Sequence, residues 1–167
     1  MGLPMCRCLL KGGFELIVWN RSIEKTEGLR NEGANRVVSP AEAVKEVDVI
    51  ITMLSDGTAV EEVLFEGGMA EGVREGVTHI DMSSIGADEA IDHAKRHVKG
   101  GVHYLDAPVS GGTKGAAAGE LAIMVGGDSE TFSKMIPVFN AMGHATHVGP
   151  NGCGQLAKLA NQVIVAI

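Results

Sequence analysis

The chain has 167 residues, 45% of them apolar, and a formal net charge of −7. That length suits one domain with a sizeable core, and the negative charge argues against nucleic acid as a general partner. No apolar run approaches the ~18–20 residues that span a bilayer, and the N-terminus lacks the ordered basic, apolar and small-residue regions of a secretory signal.

The predicted elements alternate. Residues 3–11 read as a helix and ELIVWN at 15–20 as a strand, followed by a helix at about 22–32 that Ser22 would cap. NRVV at 35–38 is a short strand. Ser39-Pro40-Ala41-Glu42 combines a cap, a first-turn proline and a first-turn acid, and so opens a helix. VDVIITML at 47–54 is a continuous apolar run, as expected of a strand covered on both faces. A helix near 57–65, a strand at 78–82, a helix at 87–98 and strands at 103–109 and 120–126 follow. A helix at 128–141, a short strand at 145–148 and a terminal helix from about 152 complete the set. Such alternation predicts an α/β fold with a doubly wound, mostly parallel sheet.

Two stretches carry chemistry. In DAPVSGGTKGAAAGELAIMVGG at 106–127, the first apolar run ends in a Ser110-Gly111-Gly112 turn, followed by a small-residue loop. A hydroxyl and amides unobstructed by side chains can converge there on a carboxylate or another anion. In GPNGCGQLAKLANQ at 149–162, three glycines lead into a helix carrying Lys158. Asn161 lies three residues on and Gln162 four, which puts them near Lys158 on one helix face. An ammonium beside a carboxamide can polarise a carbonyl and exchange a proton with its oxygen. A lone lysine on an amphipathic helix is ordinarily solvated; the apolar VIVAI run at 163–167 predicts instead a mostly buried helix.

Together these stretches resemble the β-hydroxyacid dehydrogenase family: 3-hydroxyisobutyrate dehydrogenase, tartronate semialdehyde reductase and glyoxylate/succinic semialdehyde reductases. The resemblance covers essentially the whole chain, and KLANQVIVA is most similar to the tartronate semialdehyde reductase branch. It implies a Rossmann-like domain over 1–150 and the start of an interdomain helix over 151–167. It implies Lys158 as the catalytic residue and Ser110, Gly111 and Gly112 as holders of the carboxylate of a small substrate. Asn161 or Gln162 would orient that substrate. The reaction implied interconverts a small semialdehyde and its hydroxy acid. A non-catalytic α/β binding or self-associating domain derived from that family is the alternative.

Family members open with a strand and a three-glycine fingerprint running into MGxPMAxNLLKxG. This chain begins MGLPMCRCLLKGG, so Gly2 matches the third glycine only. The expected sheet therefore lacks the usual first strand, and the strands at 15–20 and 47–54 lose their shared neighbour. The family's C-terminal helical domain would be absent as well. Poor turnover by the chain alone and a homodimer or larger assembly are the expectations. Where an NAD-preferring chain normally offers Asp or Glu, this one offers Asn20-Arg21-Ser22. A guanidinium and a hydroxyl suit a 2′-phosphate, although a surface Arg beside an ordinary cap has the same pattern; with the resemblance, NADP(H) is favoured over NAD(H). Met53 and Leu54, closing the 47–54 strand, and Ser84, after the 78–82 strand, match further cofactor contacts of the family.

The histidines add little at this level. His93 and His97 have the i, i+4 spacing of a two-histidine metal face, but Lys95, Arg96 and Lys99 on the same helix make a solvated face the expected reading. His79, His103, His144 and His147 flank strands without a clear constellation, and EEVLFE at 61–66 reads as an exposed helix edge. Cys6, Cys8 and Cys153 read as free thiols of a cytoplasmic protein, because C-x-C with no second pair is a poor zinc signal. No metal is expected.

Overall fold

The computed structural model describes residues 1–165. Helix α1 (Gly2–Lys11) buries Met5, Cys8 and Leu9, the i, i+3, i+4 stripe of an amphipathic helix. Strands β1 (Ile17–Val18) and β2 (Asn35–Arg36) pair in parallel. A 3₁₀ turn at Ile23–Thr26 and helix α2 (Glu27–Asn31) join them. Helix α3 (Pro40–Ala43) starts at Ser39, whose hydroxyl accepts the Glu42 amide at 3.2 Å. Strand β3 (Val49–Thr52) leads to helix α4 (Gly57–Glu61), which continues as a π-helical turn at Glu62–Glu66.

Strand β4 (Thr78–Asp81), helix α5 (Ala87–Lys99) and strand β5 (His103–Asp106) form the next crossover. Strand β6 (Val109–Ser110), helix α6 (Gly112–Ala118) and strand β7 (Leu121–Gly126) follow. Helix α7 (Ser129–Met142), strand β8 (Gly143–Gly149) and helix α8 (Cys153–Val165) complete the chain.

Strands β3, β4 and β5 are parallel, β7 is antiparallel to β5 and β6, and β8 is parallel to β7. The β1–β2 pair forms a separate two-stranded sheet. Among the described residues, β1 and β3 each pair on one side only.

Alternation along the strands divides the core. Ile80 and Leu105 join Met5, Leu9, Val125, Phe139 and Met142 on one face, against α1 and α7. The residues between them are polar. Thr52 sits opposite Asp81, and Asp81 opposite Asp106. His79 sits opposite Tyr104, and all five are buried.

Several expectations need correction. The small-residue loop after Ser110-Gly111-Gly112 is helix α6; its alanines are strong helix formers. The helix at 22–32 is broken into a 3₁₀ turn and α2, and Ser22 stands at the cap position without a side-chain cap bond. His93 and His97 do not form a solvated face: they are 3% and 6% exposed, turned inward against Tyr104 and Phe65 while Arg96 stacks on Phe65 from outside. His79 forms a constellation with them, because α5 covers the polar side of β4. EEVLFE is exposed in part only, with Leu64 fully buried. Helix α8 is not mostly buried: of its residues only Gly154 and Gln155 are, and Val163, Ile164 and Val165 are exposed. Ala166 and Ile167 lie outside the described residues.

Candidate functional site

Asp106, which ends β5, anchors the helix that carries Lys158. Its Oδ1 accepts the Gly152 amide at 2.8 Å and its Oδ2 the Gln155 amide at 3.2 Å. A fully buried carboxyl group thus satisfies orphan donors at the start of α8 and complements the helix dipole. Burial pushes the Asp106 carboxyl up from its usual value, and the two amides pull it back. Gly154 permits the close approach: a Cβ there would lie 2.5 Å from the Met124 carbonyl oxygen.

Helix α8 then presents the three predicted side chains. Lys158 Nζ donates to Gln162 Oε1 at 2.8 Å. Asn161 Nδ2 donates to Ser110 Oγ at 3.3 Å. The structure therefore separates the two amides: Asn161 meets the Ser110 turn, and Gln162 holds the lysine. Partial burial lowers the Lys158 ammonium from its usual value, which makes it a better proton donor near neutrality. Gly111 and Gly112 have φ of +128° and +60°, conformations that L side chains rarely adopt, and both are exposed beside the half-buried Ser110. Hydroxyl, bare turn, carboxamide and ammonium can together grip a carboxylate and move a proton at a neighbouring oxygen.

The predicted cofactor edge lies on other elements. Gly2 opens α1, whose first turn has no side-chain cap and no acidic residue; a Cβ at Gly2 would meet nothing within 4 Å. That open, uncapped helix start fits an anionic phosphate group. Asn20 Nδ2 donates to the Ser22 carbonyl at 2.9 Å and closes the turn around Arg21. Arg21 is exposed and makes no hydrogen bond or ion pair among the described residues. Met53 is half-buried. The Leu54 amide is already committed, donating to Ser83 Oγ at 3.0 Å, so Leu54 can offer shape to a ligand but not that N–H. Ser84 is exposed beside this pair.

Sequence reasoning missed Asp81, Asp106 and Gln155. The two aspartates end consecutive apolar strands, a visible position, but nothing in the sequence told which backbone amides they would hold. A recess of about 440 Å³ is lined by none of these groups. Glu61, Glu62, Glu66, Asp88, Glu89 and Asp92 line it, and such a lining repels an anionic ligand. Among the described residues no group of three or more His, Cys, Asp or Glu is placed to hold a metal ion, and no helix is long and apolar enough to cross a membrane.

The family model described as the NAD binding domain of 6-phosphogluconate dehydrogenase matches residues 1–150. A 2-hydroxy-3-oxopropionate reductase of Escherichia coli is 43% identical over 169 residues, covering 100% of this chain and 58% of the relative. An NAD-dependent L-serine dehydrogenase of Pseudomonas aeruginosa is 41% identical over 170 residues, covering 100% of this chain and 57% of the relative. The solved structure of Mycobacterium tuberculosis 3-hydroxyisobutyrate dehydrogenase with L-serine matches with a TM-score of 0.94 at 38% identity, covering 99% of this chain and 57% of that one. The chain spans about half to three-fifths of the length of the curated relatives it matches.

Proposed function

The chain belongs to the family of the NAD binding domain of 6-phosphogluconate dehydrogenase, among its β-hydroxyacid dehydrogenase members, and we propose from that premise that it serves an oxidoreductase interconverting a small semialdehyde and its hydroxy acid. The observation that carries this reading is the paired contact along α8: Lys158 with Gln162, and Asn161 with Ser110.

The Ser110 hydroxyl and the Gly111 and Gly112 amides hold the substrate carboxylate. Asn161, steadied by Ser110, orients the substrate. Lys158, held by Gln162, gives a proton to the carbonyl oxygen in reduction and takes it back in oxidation. A bound nicotinamide cofactor supplies or accepts the hydride. Residues 1–150 form the cofactor-holding unit, and the helix from 151 onward carries the lysine. The first turn of α1 at Gly2 would hold the pyrophosphate of the cofactor, Asn20-Arg21-Ser22 its ribose end, and Met53, Leu54 and Ser84 would contact it between. An unpaired guanidinium with no acid at 20–22 supports NADP(H) over NAD(H). Because Gln162 and Leu159 of the lysine helix stand in water, the electrostatic stabilisation of a developing alkoxide is weakened and turnover by this chain alone is low.

Fluorescence titration with NADPH and NADH, followed by turnover assays on tartronate, succinic and methylmalonate semialdehydes, tests the reading. Binding of NADPH and a slow reduction that Lys158→Ala removes are expected. Failure to bind either cofactor, or turnover untouched by Lys158→Ala, overturns it.

A further inference from the structure

The polar side of β4 carries a buried chain of hydrogen-bonding groups that the proposed reaction does not use. Thr52 Oγ1 lies 2.8 Å from Asp81 Oδ1 and 2.9 Å from His79 Nε2. His79 Nδ1 lies 2.9 Å from His97 Nε2. His97 Nδ1 lies 2.8 Å from the carbonyl oxygen of His93, one turn earlier in α5. Asp81 and His79 are fully buried, and Thr52 and His97 nearly so.

The number of protons this chain can hold is fixed by its members. The chain has four contacts, and each hydrogen bond needs one proton. Both ends are acceptors: a carboxylate at Asp81 and a carbonyl at His93. The members between them supply three protons when neutral, one from the threonine hydroxyl and one from each imidazole. With three, one contact must bring two lone pairs together at 2.8–2.9 Å, wherever along the chain it falls. A buried polar contact of that kind costs the desolvation of both groups with nothing in return.

Charge leads to the same place. Among the described residues no cationic nitrogen comes within ion-pair distance of Asp81. Its other partners are neutral donors: the Ser83 amide at 3.0 Å and the Tyr104 hydroxyl at 3.1 Å. Asp106 sits beside it in register on β5, and the Glu89 carboxylate of α5 adds to the negative charge acting on Tyr104. On the α5 side, Arg96 and His93 face His97, but both are bound to Glu61. An ionised Asp81 with a neutral chain would be a buried, unpaired charge. One added proton makes the whole chain neutral.

We propose that the chain Asp81–Thr52–His79–His97 binds one proton beyond the three its neutral members supply, and that this proton ties α5 to the ends of β3 and β4. The tie is a proton-sensitive element of the fold: removing the proton at alkaline pH breaks one link and leaves a net negative charge in the interior. Its location gives it reach. Asp81 Oδ1 also holds the Ser83 amide, and Ser83 Oγ holds the Leu54 amide, so a loosened Asp81 frees both turns. This device stands independently of which cofactor those turns receive.

The test uses the unmodified chain, labelled with ¹³C and ¹⁵N, at pH 7.5. The Asp81 carboxyl carbon reports its protonation, and the ring nitrogens of His79 and His97 report theirs. The expected result is a protonated Asp81 carboxyl donating to Thr52, with singly protonated rings at 79 and 97. An ionised Asp81 overturns the proposal. Raising the pH until the extra proton leaves is expected to lower amide protection factors across α5 at least tenfold. Protection that stays constant through that transition overturns the tie.

Discussion

Gln155 Nε2 donates to the Ser83 carbonyl at 2.9 Å, while its Oε1 accepts the Ile85 amide at 3.2 Å. One buried carboxamide thereby joins the helix of Lys158 to the turn of Ser84. Gln155→Leu keeps much of the volume and removes both bonds. It leaves a carbonyl and an amide without partners, at a cost of about 1–3 kcal/mol per unsatisfied group. A lower melting temperature, with cofactor affinity and turnover falling together, is expected. Unchanged melting and unchanged activity would rule out this coupling.

Much of the fold was legible in the sequence. Most strand and helix types follow from apolar periodicity; α6 does not, because its run of glycines and alanines carries no apolar stripe and reads as a loop. Within the candidate site, the placement of Lys158, Asn161 and Gln162 together on one helix was legible from their spacing. The contacts that organise them were not. Spacing alone could not decide between Asn161 and Gln162, because both lie on the same face as Lys158 and only the position of Ser110 distinguishes them. The buried histidines were misread for a related reason. A helix with Lys95, Arg96 and Lys99 looks solvated until α5 is docked on a sheet face that is itself polar, and strand alternation does not show which face a neighbour will cover.

Lys158 is the proton carrier of the proposed reaction, and positioned proton transfer contributes typically 10²–10⁴-fold to rate. Lys158→Met is therefore expected to lower kcat by about that factor while leaving the cofactor dissociation constant unchanged. Steady-state kinetics with a parallel cofactor titration separate the two. A variant that loses cofactor binding instead would place Lys158 in the wrong role.

Arg21 is exposed and unpaired among the described residues, so a bound 2′-phosphate would be its first partner. A charge-assisted hydrogen bond of that kind is worth roughly 1.5–3 kcal/mol. NADPH is expected to bind at least tenfold more tightly than NADH, and Arg21→Ala to erase the difference. Equal affinities in the unmutated chain would end the assignment.

Acid should destabilise the chain through His79. Burial first, then the neighbouring His97 and His93 rings, hold the His79 imidazole well below its ordinary value. His97 is lowered too, chiefly by burial. In the unfolded chain an imidazole titrates near about 6.5. The folded value is the lower one, so below that pH the unfolded state binds more protons. The stability these groups contribute is present above about 6.5 and is lost as the pH falls below it. Urea midpoints from pH 7 to 5 should fall, and His79→Phe should flatten the decline. A wild-type midpoint that holds steady or rises on acidification would contradict the burial argument.

The surface of α8 predicts self-association. Leu156, Leu159, Val163, Ile164 and Val165 are more than half exposed, Ile164 at 74%. A run of this kind on one helix exceeds the scattered apolar residues of an ordinary surface. Each aliphatic side chain covered fully recovers roughly 1.5–3 kcal/mol. Leu156, Leu159 and Val163, at i, i+3 and i+7, share one face, and covering them in both copies of a dimer offsets an association cost of about 4–15 kcal/mol. The free edges of β1 and β3 offer backbone donors and acceptors to the same end. Light scattering at micromolar concentration should therefore find a dimer or larger species. Leu159→Glu together with Val163→Glu should shift it toward monomer, because each places an unpaired charge in the covered face. A stable monomer in the unmutated chain would show that these surfaces tolerate water, and that the sheet edges are too short to template pairing.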